Sequence, residues 1–325
     1  MEFSFLDELP KIVWMLIGIV AFLGVIGLLL LLIDVPRTRR DRWQAVLFLA
    51  PALVFLVGGL VYPVLRTTYL SFHDRSGDAF VGLANYIWMF QRPEILQVLW
   101  NTLLWVIFAP LLATAIGLVY AVLVDRSRFE SVAKSLVFMP MAISFVGASI
   151  IWRFVYAYRP ADQDQYGLFN QIVVWFGGEP RLWLLEQPLN TFLLILVLIW
   201  VQAGFAMVVM SAAIKAIPAE IVEAARIDGA GAFQLFRSIT LPSVWPTLLV
   251  VLITITVQTL KVFDIVRTMT GGNYGTSVIA NEMYSQAFSQ GQTGQGSALA
   301  VVLFVLVIPL VILQIRRTRK ARELS

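Results

Sequence analysis

Seven stretches of this chain are too long and too apolar for a soluble domain: about 12–33, 44–65, 98–124, 132–156, 189–214, 244–268 and 296–315. A hydrocarbon core of roughly 30 Å takes about 20 apolar residues in a helix. Barrel strands would instead alternate over about 10 residues. Each stretch is therefore predicted to be a membrane-crossing helix. Composition agrees, since only 14% of the residues are charged, where about 25% is usual. Too little polar surface exists to cover such a chain, so lipid must serve as its solvent. The chain has no Cys and a single His73, which excludes disulfides, thiolate metal sites, a thiol nucleophile and His-pair zinc motifs. No metal site is expected.

The first stretch is expected to be a retained helix with an exported acidic N-terminus rather than a secretory signal. Glu2, Asp7 and Glu8 precede it against one Lys11, the reverse of a basic leader, and the run exceeds the roughly 7–15 residues of a signal core. Residues 34–43, 125–134, 215–243 and the tail together hold fifteen of the 24 Lys and Arg, whereas the alternate segments hold six. Basic loops stay on the cytoplasmic side, so the N-terminus is expected outside and the C-terminus inside. The net charge of +4 is thus a topology signal and calls for no nucleic-acid partner. The expected division is a peripheral first helix with its basic loop (1–43), one transmembrane domain (44–316) carrying a loop at 215–243, and a basic tail (317–325). His73 is expected in a solvated outer loop. Trp152, Arg153, Tyr156 and Tyr158 are expected to form an anchoring belt.

The loop between the fifth and sixth spans reads IPAEIVEAARIDGAGAFQLFRSITLPSVWP. Pro218 suits a first helical turn, where its missing donor costs nothing. Glu220, Glu223, Ala224 and Ile227 share one helical face. Gly229 is placed to end that helix, because glycine enters left-handed dihedrals freely. A second short helix over 230–239 should follow, with Pro242 and Pro246 turning the chain back into the membrane. The expected object is a helix–Gly–helix knob.

Glu223-Ala224-Ala225, then Gly229, Ile239 and Leu241-Pro242, resembles the EAA loop of binding-protein-dependent ABC importer permeases, matching all seven positions at the family's spacing. The resemblance implies a coupling helix docked in a cleft of an ATPase subunit. There Glu223 would pair with a basic residue, Ala224 and Ala225 would permit close approach, and Gly229 would set the bend. Asp228, Ile239, Leu241 and Pro242 complete that coupling set. A second segment, VFDIVRTMTGGNYGTSVIANEMYSQAF, is similar to the stretch after the penultimate helix of carbohydrate permeases through Phe263, Asp264, Thr270, Gly271, Gly272, Thr276, Tyr284 and Phe288. Asn273 stands where the family usually has Pro, which looks more like its alpha-glucoside branch. The implied fold is an all-α type I ABC importer permease, a six-helix core plus one N-terminal helix.

A charge at the bilayer centre costs about 2.5–3.5 kcal/mol, so polar groups within the spans need a reason. Gln258, Lys261, Asp264 and Arg267 recur every three residues in the predicted sixth span. Lys261 and Asp264 fit either a snorkelling i,i+3 pair or a polar stripe along a sugar path. Gln258 and Thr259 lie deeper and fit the path. By resemblance, the region of Gln202 and Phe205 contributes to the central site, although Phe205 also fits simple core packing. Ser149 fits a helix contact or a ligand.

The chain lacks a G-x-x-x-x-G-K-[ST] loop and any Gly-Lys pair, so it has no phosphate loop of its own. The resemblance implies the permease subunit of an ATP-driven sugar importer in a bacterial inner membrane, itself no enzyme and holding no cofactor. ATP and Mg2+ would sit on two partner ATPase subunits. A second homologous permease would complete a heterodimer, and an extracytoplasmic binding protein would deliver an alpha-glucoside or maltooligosaccharide. Another class, an ion-coupled secondary transporter, would show inverted repeats and matching broken helices, which the sequence lacks. An intramembrane enzyme would need a nucleophile with a base or a metal set, and one His without Cys leaves little to build either.

Overall fold

The computed structural model describes residues 49–125 and 127–323, with Val13 and Gly24 as isolated helical positions. The predicted first span lies outside the described residues. The chain divides into two compact units at Arg66–Thr67. In the first, residues 49–66 belong to α1 (Leu49–Leu70), an apolar helix loosened by a π turn at Val57–Val61. None of its apolar window is buried within the chain, so it presents a surface suited to lipid.

The second unit is built on long apolar helices. After α2 (Ala84–Gln91) comes α3 (Pro93–Val124), which starts earlier than hydropathy suggests because Pro93 opens it at the first turn. Next come α4 (Glu130–Phe138) and α5 (Phe145–Val155), then the short α6 (Leu168–Trp175) and the long α7 (Leu189–Lys215). After α8 (Ala219–Ile227), α9 runs from Ala232 to Leu260. The chain ends with α10 (Asp264–Met269), α11 (Ile279–Tyr284) and α12 (Thr293–Glu323). Among the described residues five helices are long and apolar enough to cross a membrane, or six counting a bent pair. No strand occurs among them.

The bent pair corrects the expectation of one continuous span at 132–156. A short 3-10 turn at Met139–Ala142 carries α4 into a break at Ile143–Ser144, and α5 leaves at 104°. Pro140 removes a helical donor. Ser144 then caps the new helix, its Oγ accepting the Gly147 N–H at 3.1 Å, as an N-cap should. Composition hid this break because both halves are apolar.

Helix α7 forms the centre, with 67% of its most apolar window buried against 11% for α12. Its partner α3 presents small residues at four-residue intervals, Ala109, Ala113, Gly117 and Ala121. Small residues let membrane helices approach closely. A Cβ on Gly117 would meet Ala206 Cβ at 2.5 Å, so the crossing is closed to any larger side chain. Trp105, Leu194, Met207, Met210 and Ile255 fill the core around it. Of the belt expected at 152–158, Trp152 and Tyr156 turn inward, while Arg153 and Tyr158 stay exposed. Trp152 stacks among Tyr156, Phe169 and Trp200, and the buried Tyr156 hydroxyl donates to Leu193 O at 3.0 Å.

Polar ties fix the two ends of the bundle. At one end Lys134 and Lys215 each reach Glu130 Oε1 at 2.5 Å, and Asp125 lies 3.9 and 3.8 Å from them. This joins α3, α4 and α7. At the other end the turn after α10 is threaded into the bundle. Asn101 Nδ2 donates to Gly275 O and Ser277 O at 2.6 and 2.9 Å, and Asn190 Nδ2 to Tyr274 O at 2.8 Å. Backbone φ is positive at Gly271, Gly272, Tyr274 and Gly275, a run that glycine makes possible. His73 is not solvated: it is 5% exposed, packs on Tyr69 at 4.0 Å, and its Nδ1 lies 2.8 Å from Tyr69 O.

Candidate functional site

The chain leaves α7 at Lys215 and forms the knob at once. Pro218 is the N-cap of α8, where its extended ψ sets the entry angle. The helix ends as foreseen at Gly229, with φ of +82°. The Gly229 N–H donates to Arg226 O at 3.1 Å and the Ala230 N–H to Ala225 O at 2.9 Å. Those two bonds define a Schellman stop. No residue of α8 is buried. Glu223, Ala224 and Asp228 stand exposed, with Ala225 half-buried. Ile227 and Phe233 are 86% and 74% exposed. A cavity of about 260 Å³ lined by Val122, Arg226, Ala230, Leu235 and Phe236 lies behind the knob.

The second arm of the knob differs from expectation. No separate helix ends near Ile239, and Pro242 and Pro246 do not turn the chain. Instead α9 runs 29 residues unbroken, through a π turn at Phe236–Thr240. There the Leu241 N–H bonds to Phe236 O, five residues back. The widened turn absorbs the donor missing at Pro242, which begins the regular helix that follows. Ile239 is half-buried, Thr240 buried, and Leu241 packs against the main core. The knob's second arm and the transmembrane segment are therefore one rod, about 43 Å long at 1.5 Å per residue, with α8 set off from it by the turn at Gly229.

Near the far end of that rod the candidate path residues meet. Gln202 of α7, only 5% exposed, donates through Nε2 to Gln258 Oε1 of α9, and Gln258 is itself exposed. The buried amide thus has its partner on the neighbouring span. Phe205, one turn on from Gln202, is half-buried against the core. Thr259 and Ser149 are wholly buried and keep their hydroxyls on their own helices, bonding Ile255 O at 2.7 Å and Phe145 O at 2.6 Å. The regular polar stripe through Asp264 is not formed. Helix α9 ends at Leu260 with Lys261 as its cap, and α10 starts afresh at Asp264. Among the described residues Lys261 and Asp264 make no ion pair, because the break takes them out of i,i+3 register.

Sequence inspection missed the Asp125–Glu130–Lys134–Lys215 cluster beside the knob. Glu130 and Lys134 at i,i+4 were a legible signal, but Lys215 arrives from a distant helix.

Several membrane-length helices with an exposed knob between α7 and α9 make this a multi-pass membrane subunit. Residues 113–318 match the family described as "Binding-protein-dependent transport system inner membrane component", and the chain belongs to that family. It is 50% identical over 86% of its length, and all of the relative's, to the osmoprotective compounds uptake permease GgtC of Synechocystis sp.. It is also 50% identical over 84% of its length, and 82% of the relative's, to the alpha-glucoside transport system permease AglF of Rhizobium meliloti. Its fold is similar to a chain of the bacterial alginate ABC transporter solved with an alginate pentasaccharide-bound periplasmic protein. That match has a TM-score of 0.73 and 21% identity over 87% of this chain and 96% of the other. The chain is an ABC permease subunit and no enzyme, and family membership sets aside the ion-coupled alternative.

Proposed function

We propose that this chain forms half of the translocation path of an inner-membrane sugar importer, with an alpha-glucoside as substrate. The rod carries the proposal. The knob's second arm, from Ala232, and Gln258 lie on one unbroken helix, joined to α8 by the turn at Gly229, so displacement of the knob moves Gln258 against Gln202 on α7. Glu223, with Ala224, Ala225, Asp228 and Gly229, docks on one ATPase subunit, the exposed carboxylate meeting a basic group there. Ile239, Leu241 and Pro242 make the joint between knob and span. ATP and Mg2+ reside on a pair of such ATPases, and a second homologous permease and an extracytoplasmic binding protein complete the assembly. ATP-driven closure of the ATPases draws the knobs together and turns the path outward, and hydrolysis returns it. Gln202, Gln258 and Phe205 face the sugar near the centre, with Lys261 and Asp264 further out; Ser149 and Thr259 shape the helices around them.

The substrate class follows the relative named for alpha-glucosides and the path chemistry, which is amide and aromatic with few fixed charges. In this reading the N-terminus lies outside and the knob inside, which the fifteen-to-six distribution of basic residues supports. Co-expression with its ATPase tests the assignment. A stable complex should form whose sugar-stimulated hydrolysis is lost in Glu223→Ala. Uptake driven by a proton gradient without an ATPase would overturn it.

A further inference from the structure

Beyond the Gln202–Gln258 pair, three rings stand together where α9 has ended. Phe263 lies 5.2 Å from Tyr284, and Tyr284 lies 5.2 Å from Phe288, with interplanar angles of 52° and 40°. The Arg267 guanidinium sits over the Tyr284 ring at 5.1 Å. Exposure rises along the row, from half-buried Phe263 through Tyr284 at 36% to Phe288 at 74%. Phe288 is held out by a π turn at Ser285–Ser289, a distortion that often accompanies function. The other ring cluster, around Trp152, is the opposite case: its rings pack inward and its Tyr156 hydroxyl is spent on Leu193 O. Here, among the described residues, the Tyr284 hydroxyl makes no hydrogen bond and Arg267 and Asp264 make no ion pair. The row thus sets a guanidinium, a carboxylate and a free hydroxyl beside three rings. A sugar uses all of them, its C–H face on the rings and its hydroxyls on the donors and acceptors.

We propose that Phe263, Tyr284 and Phe288, with Arg267 and Asp264 beside them, form a carbohydrate-stacking platform at the outer mouth of the path. A sugar ring released by the binding protein rests there before reaching Gln202 and Gln258. This rests on the sugar-permease assignment above.

The test is uptake by the complete transporter in proteoliposomes, supplied with its binding protein loaded with maltose, maltotriose, trehalose or sucrose. Phe288→Leu keeps apolar bulk and removes the ring face, whereas Phe288→Trp keeps the face. The platform predicts that Phe288→Leu lowers kcat/KM by about three- to tenfold for a transported sugar. Phe288→Trp should stay within about twofold of wild type on the same scale. Both variants should co-purify with the partner permease. Equal transport by Phe288→Leu and wild type overturns the platform alone, because bulk then suffices. Loss of the partner permease in Phe288→Leu also overturns it, by assigning the ring to the subunit interface. A wild type that imports none of these sugars overturns the sugar assignment and the platform with it.

Discussion

Gly229 is the position where one side chain decides between two chain directions. Its φ of +82° is open to glycine, while L-residues meet a penalty of roughly 1–2 kcal/mol there, most severely when β-branched. Nothing crowds its Cβ position, so the restriction is conformational and local. Gly229→Val should insert and assemble at wild-type levels while transport falls at least tenfold; unchanged uptake would remove the coupling role of the bend. Gln258→Met makes the complementary case. It would leave the buried Gln202 amide without its partner, at about 1–3 kcal/mol, read as a lowered melting temperature of the detergent-purified complex. Asp74 shows the same economy outside the membrane. Desolvation pushes its carboxyl up, but hydrogen bonds from the Ala79, Asp78 and Gly77 N–H groups and the Ser76 hydroxyl outweigh this and hold it below the usual carboxylate range. A lowered folded-state pKa stabilises the loop above the unfolded value, and that gain vanishes as pH falls through the folded one. Protection factors of the 77–79 amides, referenced to the intrinsic exchange rate at each pH, should therefore fall on acidification, and should already be low at neutral pH in Asp74→Ala.

At the level of elements, the α3–α7 crossing and the broken fourth span show what a sequence does and does not disclose. Gly117→Leu would drive a side chain into Ala206, 2.5 Å from the first added carbon. Overpacking of this kind costs about 1–3 kcal/mol and should appear as a lower melting temperature, with Gly58→Leu as the control because nothing lies near its Cβ. The knob was legible because its signals are local: Pro218 at the start, Gly229 at the stop, and helix formers between. The bend at Ile143–Ser144 was not, since hydropathy averages over both arms and Ser144 acts through a single backbone hydrogen bond. The sixth span misled in both directions for a related reason. Prolines read as breakers, yet the π turn at Phe236–Thr240 carried the helix across Pro242. Lys261 read as mid-helix, yet the chain stops there and Asp264 begins a new turn. Gln202 was legible as a buried amide in need of a partner, and the partner was another candidate, Gln258.

For the whole molecule, the decisive matter is which end of the bundle meets the motor. The knob shares its end with the Asp125–Glu130–Lys134–Lys215 cluster, while the threaded turn held by Asn101 and Asn190 closes the other. Each end is thus internally consistent, and the bundle as a whole needs a single assignment of sides. The absence of Cys from the sequence makes that assignment directly measurable, because a single introduced thiol labels without background. Ile227→Cys on the knob and Phe176→Cys beyond α6 are 86% and 88% exposed in the parent residues, so neither thiol is hidden by the chain itself. With a membrane-impermeant maleimide, Phe176→Cys should label in intact spheroplasts and Ile227→Cys only in inverted vesicles. Co-expressed ATPase should further shield Ile227→Cys, since docking covers the knob, and leave Phe176→Cys untouched. Labelling of Ile227→Cys from the outside would put the knob on the side away from ATP, and no motion of the rod could then be driven by it.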